Sequence, residues 1–250
     1  MEIKRKKFQG VLNILSFNRH FYVIGLIVWG LIMICSDFLQ LSTLWSYGIT
    51  AAFAYGLTMP LIVSAYVYDF SGYYDFDWLK TIGLADIKPE QIVNIHAGFD
   101  ETSFILKNKF SEADLKVYDF YNAKKHSEQA IVRARKVSLV CPETQRIKAD
   151  KIPLEDKSVD LVFLLSSAHE IRSHKEKVLF LKECHRICKP DGKVITVEHL
   201  RDASNFLAFS IGFTHFFSLN AWKKAFKGAG FSSFEETKFT PVMSIFTSKT

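Results

Sequence analysis

Residues 150–200 constrain this chain most, because they spell out one complete βαβ unit. Val159–Leu165 (VDLVFLL) is a short apolar run rich in branched side chains, closed by Ser166-Ser167. Residues 193–197 (KVITV) form a second such run. Between them Val178, Leu179, Leu181, Ile187 and Cys188 fall at helical spacing, with Lys175, Glu176, Lys177, Lys182 and Glu183 on the opposite face. Lys189-Pro190-Asp191-Gly192 ends that helix. Pro190 cannot extend it, and Gly192 is expected to take a positive-φ turn back into the sheet. Two parallel strands joined by a crossover helix imply an open α/β sheet, and such sheets bind ligands at the carboxyl ends of their strands.

The same alternation starts at residue 89. Strand one is expected at 91–95 (QIVNI), a helix at 102–110, strand two at 115–119 (LKVYD), a helix at 123–137 and a weak strand three at 145–149. The strong strands then follow as four and five. Residues 218–229 read as a helix with Ser218 as N-cap and Gly230 just past its end, and 232–238 with 242–248 as a closing hairpin.

Ile152-Pro153-Leu154-Glu155-Asp156-Lys157-Ser158-Val159-Asp160-Leu161-Val162 and Arg186-Ile187-Cys188-Lys189-Pro190-Asp191-Gly192-Lys193 resemble two stretches of the class I S-adenosylmethionine (SAM) dependent methyltransferases, in their small-molecule type 11 group. The first is similar to that group's LPF-x-D-x-S-F-D-L-V stretch and the second to its R-h-L-K-P-G-G turn. The resemblance weakens over the rest of residues 89–250 and does not extend to the first third of the chain. It implies a Rossmann-like, seven-stranded open sheet that uses SAM as its cofactor.

The loop after strand one departs from the family pattern D-h-G-x-G-x-G. Of its glycines only Gly98 remains; His96 and Asp100 replace the others, and Asn94 replaces the acid. His96, Ala97, Gly98 and Asp100 are the candidate cofactor residues of this loop. Asp100 or Glu101 could pair with the cationic end of the cofactor, or Asp100 could simply N-cap the next helix. Asp119 ends strand two, where the resemblance implies an acid accepting both ribose hydroxyls. It also implies that Asp150 meets the adenine amino group, with Ile152 against the ring; Ser166, at the carboxyl edge after strand four, is a further cofactor-binding candidate. After strand four, His169 could serve as a general base with Glu170 orienting it, since an unperturbed imidazole titrates near neutrality. The alternative is that both begin a helix, with Glu170 favoured by the helix dipole. Glu198 and His199 follow strand five, where such polar groups are costly to bury idle. They are candidates for the acceptor side. Residues 205–217 (NFLAFSIGFTHFF) read either as a packed helix or as an apolar acceptor pocket or membrane-dipping lid.

The first third is of another kind. From His20 to Tyr68 the one acid or base is Asp37. Two apolar runs, about 18–36 and 44–67, read as an all-α transmembrane hairpin, since a span needs about 20 residues. Trp45, Tyr66 and Tyr68 suit the interfaces, and Pro60 suggests a kink or helix end. Lys4-Arg5-Lys6-Lys7 precede the first run, Arg19 sits at its start where it can reach the interface, and no base lies between the runs, so the N-terminus and the following domain are expected on the cytoplasmic side. The organisation expected is therefore a membrane anchor at 1–68, a juxtamembrane connector at 69–88, which could cover the cofactor, and a methyltransferase domain at 89–250.

The net charge of +6 comes partly from that basic cluster, and the other bases are interspersed with acids. No basic and aromatic stripe points to nucleic acid. Cys184 and Cys188 read as helix packing, and no metal ligand set is expected. The function expected is a membrane-anchored SAM-dependent methyltransferase with a small-molecule acceptor, a lipophilic one suiting the anchor, and the lipid bilayer as partner. The alternative is a non-catalytic membrane-bound Rossmann-like module with a degraded cofactor loop. The sequence does not choose an oligomeric state.

Overall fold

The computed structural model describes residues 5–125 and 128–250. Lys4 of the basic cluster, and His126 and Ser127 of the helix expected at 123–137, lie outside the described residues. In chain order the elements are α1 (Gln9–Phe38), α2 (Thr43–Ala65), a π-helical turn Tyr66–Phe70 and α3 (Trp78–Thr81). There follow β1 (Gln91–His96), α4 (Ser103–Lys109), β2 (Asp114–Asp119), α5 (Gln129–Val137), β3 (Gln145–Arg146), β4 (Val159–Leu165) and a 3-10 turn Ala168–Glu170. The chain ends with α6 (His174–Ile187), β5 (Cys188–His199), α7 (Ala203–Phe209), a 3-10 turn Ser210–His215, α8 (Leu219–Ala229), β6 (Ser233–Thr240) and β7 (Met243–Lys249).

The seven strands form one sheet in the order β3-β2-β1-β4-β5-β7-β6. The first five run parallel, and β7 is antiparallel to both neighbours. Along β4, Leu161, Phe163 and Leu165 enter one core, with Phe76, Trp78, Leu79 and Leu106. Val162 and Leu164 enter the other, with Phe180 and Leu181 of α6 and Trp222 and Phe226 of α8. Covered on both faces, β4 must be apolar throughout, which is why it reads as a continuous run. In register, His96 pairs with Asp119, and Leu165 with Val197, so the carboxyl ends of β1, β2, β4 and β5 share one edge.

Several local expectations change. Gly192 does not have positive φ. A Cβ there would lie 2.8 Å from the Asp160 carbonyl oxygen and 2.8 Å from Cys188 Sγ, so close approach is what demands glycine. On α6, Phe180 faces the core and Leu179 faces out, and Lys177 is buried, with its ammonium 3.0 Å from the Phe217 ring centre. Cys188 begins β5 rather than ending the helix. Strand three shrinks to two residues, and the run 205–217 breaks at Ser210, whose φ is +49°. Ser218 accepts from the Ala221 N–H, and Gly230, at φ +97°, closes α8 as expected.

The N-terminal helices have two distinct halves. Residues 9–20 of α1 lie on the sheet domain: Phe17 is buried, edge-on to Phe99 at 5.3 Å, and Arg133 Nη1 donates to the Phe17 carbonyl at 2.7 Å. Beyond residue 20, α1 runs antiparallel to α2, with Trp29 Nε1 donating to Thr50 Oγ1 (3.2 Å) and Ser36 bonded to Ser46 (3.1 Å). α2 does not end at Pro60. In this half Phe21, Ile27, Leu31, Ile34, Phe38, Leu44 and Trp45 are exposed. Both helices are long and apolar enough to cross a membrane. The connector is no slack linker, because Tyr73, Phe76, Trp78, Leu79 and Leu84 are all buried.

Candidate active site

The loop after β1 folds back on itself. The Gly98 N–H donates to His96 Nδ1 at 2.9 Å. His96 is buried, and that burial pushes it below its ordinary value. The neutral ring then carries its hydrogen on Nε2. Asp100 Oδ1 accepts the N–H groups of Thr102 and Ser103, both at 2.9 Å, but it lies two residues ahead of Thr102, which is the N-cap of α4. Asp100 Oδ2 and His96 Nε2 are both buried without hydrogen-bond partners and lie 3.8 Å apart. Ala97 packs into the core. Glu101 is already engaged: it accepts from Arg5 (2.5 Å), Gln9 (2.6 Å), Asn13 (3.0 Å) and the Tyr74 hydroxyl (2.6 Å). It clamps α1 and the connector onto the loop.

Gly98 has φ +90°, and a Cβ there would meet Arg135 Nη1 at 1.5 Å. The guanidinium of Arg135, from α5, therefore lies directly on the glycine. It also donates to Asp119 Oδ2 at 3.0 Å and stacks on Tyr121 at 3.9 Å. Asp119 Oδ1 accepts the Tyr121 N–H at 2.8 Å. His96, Ala97, Gly98, Asp100 and Asp119 thus converge, with Arg135 among them. Asp150 does not join them: it is exposed, in the turn bridged by Lys148 and Lys151. Ile152 is buried in the core, its N–H donating to Glu183 and its carbonyl accepting from Arg186, both at 2.9 Å.

The second half of the site follows β4 and β5. Ser166 has φ +48°, a conformation unfavourable for a residue with a Cβ, and its Oγ lies 3.3 Å from the Tyr73 hydroxyl. The next residues form a 3-10 turn, not the start of α6, so Glu170 is not a helix-start acid. His169 Nδ1 lies 2.6 Å from Glu198 Oε2, and the His169 N–H donates to Glu198 Oε1 at 3.1 Å. Glu170 Oε1 lies 3.5 Å from His169 Nε2. Glu198, rather than Glu170, is therefore the residue that orients the ring. Burial opposes charge on His169, but Glu198 and Glu170 outweigh it and push the group up to about 10. His169 is thus an imidazolium at neutral pH and must shed a proton before it can act as a base. The His215 ring stands edge-on to it at 5.1 Å, held by Glu128 at 3.1 Å from Nδ1. His199 behaves in the opposite way. Burial pushes it down to about 4; Nδ1 donates to the Val242 carbonyl (2.8 Å), and Nε2 faces the Tyr68 hydroxyl (2.9 Å). Tyr68 thus belongs to the site rather than to a membrane interface. Phe216 stacks on the His199 ring at 4.9 Å, and Phe209 meets it edge-on at 5.0 Å.

The raised group at His169 fixes a pH dependence. Its contribution to stability is complete below the ordinary histidine value of 6.5 and is lost as pH climbs through about 10. The thermal midpoint of the full chain is therefore expected to fall between about pH 7 and pH 10, and Glu198→Gln to flatten that fall. An equal slope in the variant would remove Glu198 as the cause.

Sequence reasoning missed Arg135, Tyr68 and His215. Each comes from an element far from its partner, and no local spacing marks it. The one available signal was that His215 and Tyr68 are polar residues inside apolar runs.

Residues 98–196 match the family model described as "Methyltransferase domain". No curated protein matches the sequence. Among solved structures the chain is similar to a Nostoc punctiforme PCC 73102 protein whose name assigns it O-methyl transfer (TM-score 0.52, 16% identity, 76% of this chain, 60% of that one). It is similar also to the CMeT domain of the citrinin polyketide synthase (0.51, 14%, 76% and 55%). A third is human N-acetylserotonin methyltransferase in complex with SAM (0.50, 14%, 77% and 55%). The chain spans about 60% of the length of the Nostoc protein and 55% of the other two. At these identities the likenesses speak for the fold: a Rossmann-like, seven-stranded sheet of the class I methyltransferase type.

Proposed function

We propose that this chain, whose residues 98–196 match the methyltransferase-domain family model, is a membrane-anchored SAM-dependent methyltransferase that acts on a small lipophilic acceptor. The observation that carries the reading is the meeting of Gly98 and Asp119 at the carboxyl edge of a sheet of this order. Bound SAM supplies a methyl group already activated on a sulfonium. The residues fit such a cation-bearing nucleoside on two counts. Gly98 offers a face without Cβ that already accepts a cation, the Arg135 guanidinium. Asp100 Oδ2 is a buried acceptor without a partner.

Asp119 would hold the ribose hydroxyls once Arg135 swings away, and the loop 96–100 would line the cationic end. Asp150 and Ile152, which stand apart, would reach the adenine only if the turn 148–151 closes. Ser166 and Tyr73 would border the reacting edge, and His169, Glu198, Glu170 and His199 the acceptor. Aligning donor and acceptor and excluding water can supply about 7–11 kcal/mol, so the chain needs little further chemistry. Where the acceptor must lose a proton, His169 takes it on Nε2 after first yielding its own, with Glu198 keeping the ring in line.

The lipophilic acceptor is supported by α7. The Tyr55 hydroxyl, midway along α2, donates to the Leu207 carbonyl at 2.7 Å, while Phe206, Leu207 and Ile211 are exposed. Exposed apolar side chains of α7 thus lie next to the hairpin, on the helix that ends in Phe209 beside His199. With bases before the first span and none between the two, we read the catalytic domain as cytoplasmic.

One observation favours the second reading, a binding module without catalysis: Arg135 occupies the ribose acid and the glycine face together. Incubation of the full chain with methyl-labelled SAM and a membrane lipid extract decides between them. Label in one lipophilic species, absent with an Asp119→Ala variant, supports the enzyme. Tight SAM binding with no labelled species in lipid or aqueous extracts supports the module.

A further inference from the structure

A ring nitrogen of His169, one of His215 and a carboxylate oxygen of Glu170 lie within 4.8 Å of one another. They come from two separate segments, the turn after β4 and the 3-10 turn after α7. From this geometry we infer that His169, Glu170 and His215 form a binding site for a divalent transition ion of the zinc type.

Four features support it. First, the donor set, two imidazoles and one carboxylate, is that of three-ligand zinc sites that keep a position open. Second, each imidazole is backed by its own carboxylate at Nδ1: Glu198 at 2.6 Å from His169 and Glu128 at 3.1 Å from His215. Such a backing acid fixes the tautomer and aims the other nitrogen at a metal. Here it leaves Nε2 of both rings for the ion, and while the ion is bound His169 Nε2 does not take up the acceptor's proton. Third, Arg172 Nη1 donates to the carbonyls of His169 (3.3 Å) and His215 (2.7 Å), tying the two ligand-bearing segments together without touching the donor atoms. Fourth, Glu128, Glu170 and Glu198 bring three carboxylates to two rings. A divalent ion would balance part of that charge. Arg172 is a cation nearby, and so is the Lys177 amine, which burial pushes down to about 7.

Ligand bonds of about 2.0–2.2 Å put donor atoms roughly 3.3 Å apart around one tetrahedral ion. His169 and Glu170, at 3.5 Å, are already so spaced. His215, within 4.8 Å of the other two donors, must close by at most about 1.5 Å, on a segment that follows the positive-φ Ser210. The turn that carries His169 and Glu170 follows β4, at the same carboxyl edge of the sheet as Asp119. Whether the ion serves an acceptor there, by binding its oxygen or sulfur and easing loss of a proton, rests on the transferase reading; ion binding itself does not.

The test uses the full chain in detergent, purified without a histidine tag, stripped with chelator and titrated with Zn²⁺ in the absence of SAM. One equivalent is expected to bind, with Co²⁺ giving visible absorption of a nitrogen and oxygen site. Glu170→Gln and His215→Ala are expected to weaken Zn²⁺ at least 100-fold, and Glu128→Gln about 10–100-fold. His174→Ala, outside the cluster, should leave the affinity unchanged. If Glu170→Gln does not fold, the partly exposed His215 carries the test. No uptake by the wild type at 100 µM Zn²⁺, or wild-type affinity in His215→Ala, overturns the site. Since SAM is absent, neither result bears on methyl transfer.

Discussion

Asp119→Ala is expected to lower the affinity for SAM at least 100-fold while leaving the fold intact. In the transferase reading its carboxylate accepts two hydroxyl hydrogen bonds, and bonds to a charged group are worth about 1.5–3 kcal/mol each. The structural cost is small by comparison. Asp119 Oδ1 accepts one backbone N–H, from Tyr121, worth about 1 kcal/mol, and Oδ2 accepts from Arg135, which keeps its stacking on Tyr121 and its partial exposure when the carboxylate is gone. Arg135→Ala should act in the opposite direction. Its guanidinium must leave Asp119 and Gly98 before a nucleoside can enter, so removing it should strengthen binding about tenfold, equivalent to about 1.4 kcal/mol. Calorimetry on both variants, with melting curves as a check, measures this. Unchanged affinity in Asp119→Ala would refute the ribose assignment.

The double substitution Ile27→Arg with Leu31→Arg is expected to abolish stable membrane insertion. Both side chains are 57% exposed, one turn apart on α1, near the middle of its outer half. If that face meets lipid, each arginine costs about 3 kcal/mol at a helix centre, about 6 kcal/mol together. If it meets water, arginine at such positions is nearly neutral, and membrane retention would not change. Carbonate extraction and glycosylation mapping report the difference. The exposure argues for lipid: in a soluble protein, helices this apolar would be buried, and here Phe21, Ile34, Phe38 and Leu44 stand outward as well. The inner half of α1 behaves otherwise. Through Phe17, Arg5 and Gln9 it is part of the domain surface, so removing all of residues 1–68 strips that packing and the Tyr68 contact to His199.

The sheet was legible because its signals are local. Residues 159–165 are apolar on both faces, the helix after them repeats every three to four residues, and a proline and glycine mark where it stops. Errors arose where tertiary contacts override that pattern. Lys177 looks like a solvent residue, but its stem and ammonium lie over Phe217 and Trp222. Gly192 looks like a turn glycine, but it is small because two carbonyl oxygens and a sulfur crowd it. Strand three was overextended because pairing with β2, not composition, sets its two residues. In the site, Asp119 and His169 could be read from their positions after strands. The partners that decide their chemistry, Arg135 for one and Glu198 for the other, lie on other elements. His169 read as a base from its ordinary value, and only the two carboxylates beside it reveal that it is charged.

The central claim is that a nucleoside sulfonium binds across Gly98 and Asp119. Calorimetry of SAM against the full chain in nanodiscs tests it most directly, run in parallel on the wild type and Arg135→Ala. The account predicts saturable binding of one SAM per chain in both, tighter in the variant. No binding to either protein at millimolar SAM would contradict it, since the substitution removes the group that lies on that glycine.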